Sequence, residues 1–437
     1  MRDKILVIYA VAVLLGLLTG VVGSFFQIAI HLLENVITQS IVYGKKQGFP
    51  PELAASLISM MLVIIAWFMV RAIAPEAAGS GVQEIEGALL HERPIFWRHL
   101  LPVKFLAGVM AISSKLVIGR EGPTIQLGGN LGEMLGELLH FSRERCDVFI
   151  AAGAAAGLAT AFNAPLAGVL FVIEEMRNQF NFTFVNLKTV IIACAVATIT
   201  LHFIMGAQPA IPMSIFALPS LKSLWLFLAL GIIVGFAGLL FNKMLMGSLL
   251  WTDRLNPRFH IFYVAGIGAI VGFLSYVYPD VVGGGYHIIH QALILSPSIS
   301  GLTFLLIIRF FTTMLCYSTS VPGGIFAPML ALGALLGSAA FYGLQFFMQD
   351  LTVHPGMFAV AAMGALFAAS VRAPITGIIL VVEMTQNYSL ILPLIVSCIT
   401  STTIMQLASN EPIYTQLLRR TLRRSSELTV HLKLKRC

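Results

Sequence analysis

The chain has 437 residues, 58% of them hydrophobic and only 11% charged, with a mean hydropathy of +0.89. A composition this apolar excludes an ordinary water-soluble globule and points to a polytopic membrane protein. The formal charge of +7 lies in short connections that flank apolar runs, not in a separate basic domain, and this excludes nucleic acid as the partner.

Apolar stretches run over about 5–33, 52–74, 100–118, 148–175, 187–206, 222–250, 258–278, 300–317, 325–348 and 389–408. Several reach the ~20 residues that cross a ~30 Å hydrocarbon core. The first follows only "MRDK" and has no small-residue cleavage site, so it reads as a retained helix and not a signal peptide. The basic connections carry Arg93 and Arg98, Arg143 and Arg145, Arg254 and Arg258, and the tail "LLRRTLRRSSELTVHLKLKRC". The positive-inside bias puts these loops and both termini on the cytoplasmic side. Cys146, Cys194, Cys316, Cys398 and Cys437 show neither paired nor metal-ligand spacing and read as small apolar fillers.

Around residues 79, 119, 163, 323 and 372 the apolar runs are interrupted by Gly, Pro or Asn. Irregular backbone at membrane depth is tolerated only where protein or a watery cavity satisfies its polar groups, so a ligand-lined interior is expected. Three breaks, "AGSGVQEIEG" (78–87), "IGREGPT" (118–124) and "VPGGIFAP" (321–328), each precede helix-compatible residues. A helix start offers unpaired N–H groups and about half a positive charge, and glycine lets an ion approach the backbone. Several such starts converging would hold an anion without a fixed full charge, which permits release as well as binding. Ser80 can add a hydroxyl donor.

Two alignments suggest an internal duplication of the kind found in many transporters. "GREGPTIQLGG" at 119–129 aligns without gaps with "GIFAPMLALGA" at 324–334, and "NAPLAGVLFVIEEM" at 163–176 with "RAPITGIILVVEMT" at 372–385. The offsets are 324 − 119 = 205 and 372 − 163 = 209. Glu174 then matches Glu383, and an acid repeated in both halves suits packing or capping. Glu121 matches Phe326 and Glu175 matches Met384, so these two acids have no counterpart and are the functional candidates; a one-residue gap would exchange the roles of Glu174 and Glu175. An acid in the spanning region costs about 2.5–3.5 kcal/mol on insertion scales and marks a pathway or proton relay. Ionised Glu121 resembles the anion such a site is built for, and it can occupy the anion position and leave it when protonated. The plain alternatives are ion pairs of Glu121 with Arg120 and of Glu175 with Arg177. Lys104 and Glu86 are expected to neutralise each other; Lys115 has no assigned role.

An intramembrane enzyme is the reading from another class. "HERPI" begins like a zinc-protease signature but has Ile95 where the second histidine belongs. His287 and His290 have one-turn spacing without a third ligand and read as a loop feature. No serine triad or phosphate loop appears, and neither metal nor enzymatic activity is expected.

The strings "GSGVQEIEGAL", "GREGPTIQLGGN", "GAAAGLATAFNAPLAGVLFVIEEMR", "GGIFAPMLALG" and "GALFAASVRAPITGIILVVEMT" strongly resemble the CLC family of chloride channels and chloride/proton exchangers, in its bacterial branch, over about residues 5–425. The resemblance implies an all-α polytopic membrane protein, an inverted repeat of about eighteen tilted and broken helices. It further implies a homodimer in which each subunit holds its own pathway, with chloride ions bound there and no cofactor. The repeats would fall at about 5–206 and 222–415, followed by a basic cytoplasmic tail at 416–437 and no nucleotide-sensing CBS domains.

Carried over by residue, the resemblance makes Ser80 and Tyr414 hydroxyl ligands of chloride, with Ile325, Phe326 and Gly122 supplying backbone. Glu121 becomes the gating and external proton glutamate, framed by Gly79, Gly81, Gly119, Arg120 and Gly324. Glu175 becomes the internal proton-transfer glutamate, which the family's channels commonly lack. The implied activity is an electrogenic chloride/proton antiporter in a bacterial inner membrane, with a passive chloride channel using the same pore as the alternative. Gln83 stands where the family usually has a proline suited to the first helical turn. Ser80 fits chloride and not the nitrate-preferring pattern.

Overall fold

In the computed structural model the described residues are 2–434 except 178–179, 214, 218, 295–298 and 349–352; Cys437 and the end of the basic tail lie outside them. They form seventeen α-helices and four short 3-10 turns, and nine of the helices are long and apolar enough to cross a membrane. Their depth in the molecule differs. In Arg143–Phe162, 89% of the apolar window is buried, against 28% in Ile299–Tyr317 and in Arg258–Val277. The molecule is therefore an inner bundle of small-residue helices wrapped by helices whose outer faces are oily, as a lipid solvent requires.

Glycine and alanine set the closeness of the inner bundle. A Cβ on Gly128 would collide with the carbonyl of Gly153, and one on Gly132 with that of Phe149. The same crossing recurs between Phe326–Gln345 and Pro355–Val371, where Gly333 lies on the carbonyl of Ala362 and Gly337 on that of Phe358. The arithmetic is that of the sequence alignment: 128 + 205 = 333, 132 + 205 = 337, 153 + 209 = 362 and 149 + 209 = 358.

The carboxylates repeated in both halves act as caps across the two. Glu174 accepts from the backbone N–H groups of Ile375 (3.0 Å) and Thr376 (2.6 Å) and from the Thr376 hydroxyl (2.7 Å). Glu383 accepts from the N–H groups of Leu166 (3.1 Å) and Ala167 (2.8 Å). Each acid thus closes the first turn of the other half's helix, Pro374–Thr385 or Pro165–Glu175, where orphan donors favour a negative charge.

Two expectations change. The first helix runs over Arg2–Lys46, well past the apolar stretch ending near 33, because no proline intervenes before Pro50. His287 and His290 lie on the helix Tyr286–Ile294 and not in a loop; His287 is within 3.5 Å of Asp280. The stretch at 148–175 is divided at Asn163, which takes a left-handed conformation and ends the helix, as its break signalled. Lys115 also acquires a role: its ammonium pairs with Glu34 of the first helix at 2.6 Å.

Candidate functional site

The three breaks meet. Gly79 donates to the carbonyl of Val321 (3.2 Å) and accepts from Gly323 (3.0 Å). Gly119 and Gly324 exchange a reciprocal pair of hydrogen bonds, both 2.7 Å. These short bridges leave the starts of Val82–Leu89, Glu121–Leu138 and Phe326–Gln345 side by side, with first-turn N–H groups that have no acceptor within their own helices. Glycine is required for the approach. A Cβ at Gly122 would enter Ser80, and one at Gly119 would enter the carboxyl of Glu121. Gly81, which carries the entry into Val82–Leu89, adopts a φ of 91°, and that helix starts normally with Gln83 in its first turn.

Ser80 and Tyr414 are both fully buried. Their hydroxyls turn toward each other without closing a hydrogen bond, and neither has another partner. Unpartnered buried hydroxyls are costly, so two beside the helix starts suit a ligand that accepts hydrogen bonds. Tyr414 is held by Phe326, on which its ring stacks with centroids 5.8 Å apart. Phe326 in turn touches Phe162, Phe171 and Phe367, and an aromatic cluster of this size fixes the approach of Ile325 and Phe326, both fully buried. The backbone N–H of Ser80 donates to Tyr317 at 3.4 Å, so this residue contributes through its side chain.

Glu121 opens its helix and is fully buried. One carboxyl oxygen accepts from the Tyr286 hydroxyl at 2.7 Å. The other has no partner; the carboxyl lies near the amides of its own residue and of Ala327 without reaching hydrogen-bond geometry. The ion pair with Arg120 does not form. That guanidinium lies 5.1 Å from the centroid of the Tyr286 ring and donates to the carbonyl of Ala161 at 3.5 Å.

The carboxyl of Glu175, at the end of Pro165–Glu175, is buried beside that of Glu86, and it forms no ion pair with Arg177. The expected neutralisation of Glu86 by Lys104 is corrected: the Lys104 ammonium donates to the carbonyls of Ala77 (2.9 Å) and Gly79 (2.8 Å). The broken backbone beside Gly79 supplies acceptors that the helices do not use, and these compete successfully for the lysine. A cavity of about 800 Å³, lined in part by Arg71, Arg93 and Arg420, leads inward to Gly79 and Tyr317. Glu84 and Asp253 line it as well and pair with Arg93 and Arg420.

Sequence reasoning missed Tyr286, Tyr317 and the Glu86 contact. Tyr286 follows three glycines that mark a turn but assign its hydroxyl no place; Tyr317 closes an apolar run just before the third break. Among the described residues no group of three His, Cys, Asp or Glu side chains could hold a metal.

The family model described as the voltage gated chloride channel matches residues 61–406. A protein of Vibrio vulnificus (strain YJ016) named "H(+)/Cl(-) exchange transporter ClcA" is 44% identical over 416 residues, covering 94% of this chain and 89% of the relative. The protein of the same name from Vibrio cholerae serotype O1 (strain M66-2) is 45% identical over 423 residues, with the same coverage. Among solved structures, a slow cyanobacterial Cl-/H+ antiporter superposes with a TM-score of 0.91 at 37% identity, covering 96% of this chain and 99% of that one. A eukaryotic CLC transporter shares the fold, with a TM-score of 0.81 at 21% identity over 96% of this chain and 74% of that one.

Proposed function

Because the chain belongs to the voltage-gated chloride channel family, we propose that it is an electrogenic chloride/proton antiporter in which Glu121 competes with chloride at converging helix starts. It is an integral membrane protein of CLC fold. The observation that carries the mechanism is the burial of the Glu121 carboxyl at a helix start beside the unpartnered hydroxyls of Ser80 and Tyr414.

Chloride resides between the Ser80 and Tyr414 hydroxyls and the first N–H groups of Ile325 and Phe326. Partial charges and hydroxyl dipoles bind it weakly enough for it to leave. Glu121 stands above this position, with Gly122 giving it room to turn and Gly119, Gly324, Gly79 and Gly81 letting the strands of backbone close up. As a carboxylate it takes the place of an anion. On protonation it gives up its attraction to the helix starts, turns away and lets chloride through, carrying one proton with each departure. Glu175 with Glu86 receives the proton from the opposite, internal side. Such an acid pair favours an exchanger over a passive channel, and the names of the curated relatives support the same reading.

We further read the chain as two repeats, at about 5–206 and 222–415. The recurring glycine crossings and the exchanged Glu174 and Glu383 caps support this division. Both termini and the Arg-lined cavity face the cytoplasm of a bacterial inner membrane, and the family resemblance supports a homodimer.

The test is a vesicle reconstitution. An outward chloride gradient should drive protons inward against their own gradient, and Glu121→Gln should abolish this proton movement while chloride flux continues. Chloride flux without any proton movement in the unaltered protein would leave the passive channel as the correct reading.

A further inference from the structure

The carboxyl of Glu121 is held by a group from outside the converging helix starts. Tyr286 opens the helix Tyr286–Ile294, and the loop before it is pinned at several points. Gly283 donates to the carbonyl of Lys115 at 2.8 Å. Arg309, fully buried in an otherwise uncharged helix, donates to the carbonyls of Asp280 (2.8 Å), Val282 (3.0 Å) and Gly283 (2.7 Å). A guanidinium removed from water must be hydrogen-bonded to be tolerated, and this one directs three donors into a single turn. Burying that charge fixes where the Tyr286 hydroxyl can be. The ring is also clamped from its other side by the Arg120 guanidinium.

We propose that Tyr286 is a positioning residue that latches Glu121 in its blocking position, its hydroxyl donating to the ionised carboxylate and losing that acceptor when the carboxyl takes a proton and turns away. The proposal rests on reading Glu121 as the gate. A hydrogen bond donated to a carboxylate favours the charged form over the neutral one, so the latch sets the pH at which the gate opens as well as its position.

Other charged and titratable groups also face the gate. Arg120 lies on the same helix start, and His31, Glu34 and Lys115 stand behind it. Lys104 approaches from Trp97–Ser113, Arg309 lies behind the loop, and Tyr414 is across the anion position. The parts of Arg143–Phe162 and Phe326–Gln345 that pack against the gate carry no titratable side chain.

Tyr286→Phe keeps the ring beside Arg120 and removes the donor to Glu121. In reconstituted vesicles the pH at half-maximal chloride flux should rise by roughly one unit, the tenfold change of a charge-assisted hydrogen bond, with flux at neutral pH increased. In a Glu121→Gln background the same substitution should have no effect. An unchanged pH profile in Tyr286→Phe, alongside a pH dependence abolished by Glu121→Gln, overturns the latch and leaves the gate intact. Persistence of the pH dependence in Glu121→Gln overturns the gate reading and the latch with it.

Discussion

Glu383 and Glu121 both place a carboxyl against the start of a helix, yet only one of them is locked. Glu383 and its counterpart Glu174 engage both carboxyl oxygens with consecutive backbone N–H groups of the opposite half. The recipients, Leu166 with Ala167 and Ile375 with Thr376, are themselves equivalent, since 166 + 209 = 375 and 167 + 209 = 376. At Glu121 one oxygen has a single phenolic donor and the other has none. The same device, a negative group on a helix start, is thus a permanent fastening where both oxygens are satisfied and a movable one where they are not. The asymmetry of the sequence marks the difference: the fastened acids recur in both halves, and the movable acid faces Phe326 in the alignment.

The sharpest break of this comparison is at Glu175, the adjacent neighbour of a fastened acid. Glu175→Gln should reduce proton transport to background while chloride flux persists, because the proton station is lost and the anion site is untouched. Its thermal stability should stay close to that of the unaltered protein, since the Glu175 carboxyl lies beside Glu86 and caps no helix. Simultaneous measurement of chloride and proton fluxes from one vesicle preparation checks this. Retained coupling would remove Glu175 from the proton path.

Much of this was legible in the sequence because the membrane penalises what it does not need. Breaks at Gly79, Gly119 and Gly324 stood out in apolar surroundings, and so did Glu121 and Glu175, since neither irregular backbone nor a carboxyl is tolerated there without a partner. The repeat separated capping acids from the rest before any contact was known. What was not legible depends on loops folding back. Tyr286 is one of ten tyrosines, and nothing in its local pattern distinguishes it; its position follows from Arg309, which lies more than twenty residues later. The lone arginine in "LLIIRFF" was the available signal, as a charge there must find acceptors. The expectation that Lys104 meets Glu86 failed because it balanced charges alone and overlooked carbonyls freed by the break at Gly79. The length of the first helix was misjudged because apolarity ends before helix propensity does.

The fastened acids should fail in the opposite way to Glu175. Glu174→Ala and Glu383→Ala each leave helix-start N–H groups without an acceptor, including that of buried Thr376 or Ala167, at a cost of about 1–3 kcal/mol, so thermal unfolding in detergent should begin at lower temperature. The protein that remains folded should keep its ratio of protons to chloride. Glu174→Ala should be the more damaging of the two, because Glu174 also accepts from the Thr376 hydroxyl. A changed transport ratio with unaltered stability would mean that repeated and unrepeated acids are not divided as described.

The smallest effect is expected at Lys115, a charge six residues before the gate. Its ammonium pairs with Glu34 at 2.6 Å, but both side chains are partly exposed, and such pairs contribute only about 0–1 kcal/mol. Its backbone is in the left-handed region, with a φ of 67°, which an L side chain adopts at some cost and glycine at none. Lys115→Ala should therefore be slightly destabilising, since it loses the pair and keeps the strain. Lys115→Gly should be close to neutral, the relief of strain offsetting the lost pair. Both keep the carbonyl that accepts from Gly283, so the loop carrying Tyr286 stays in place and the pH dependence of chloride flux should not move. A shift of that profile in Lys115→Ala alone would show that the ammonium, and not only the backbone, acts on the gate.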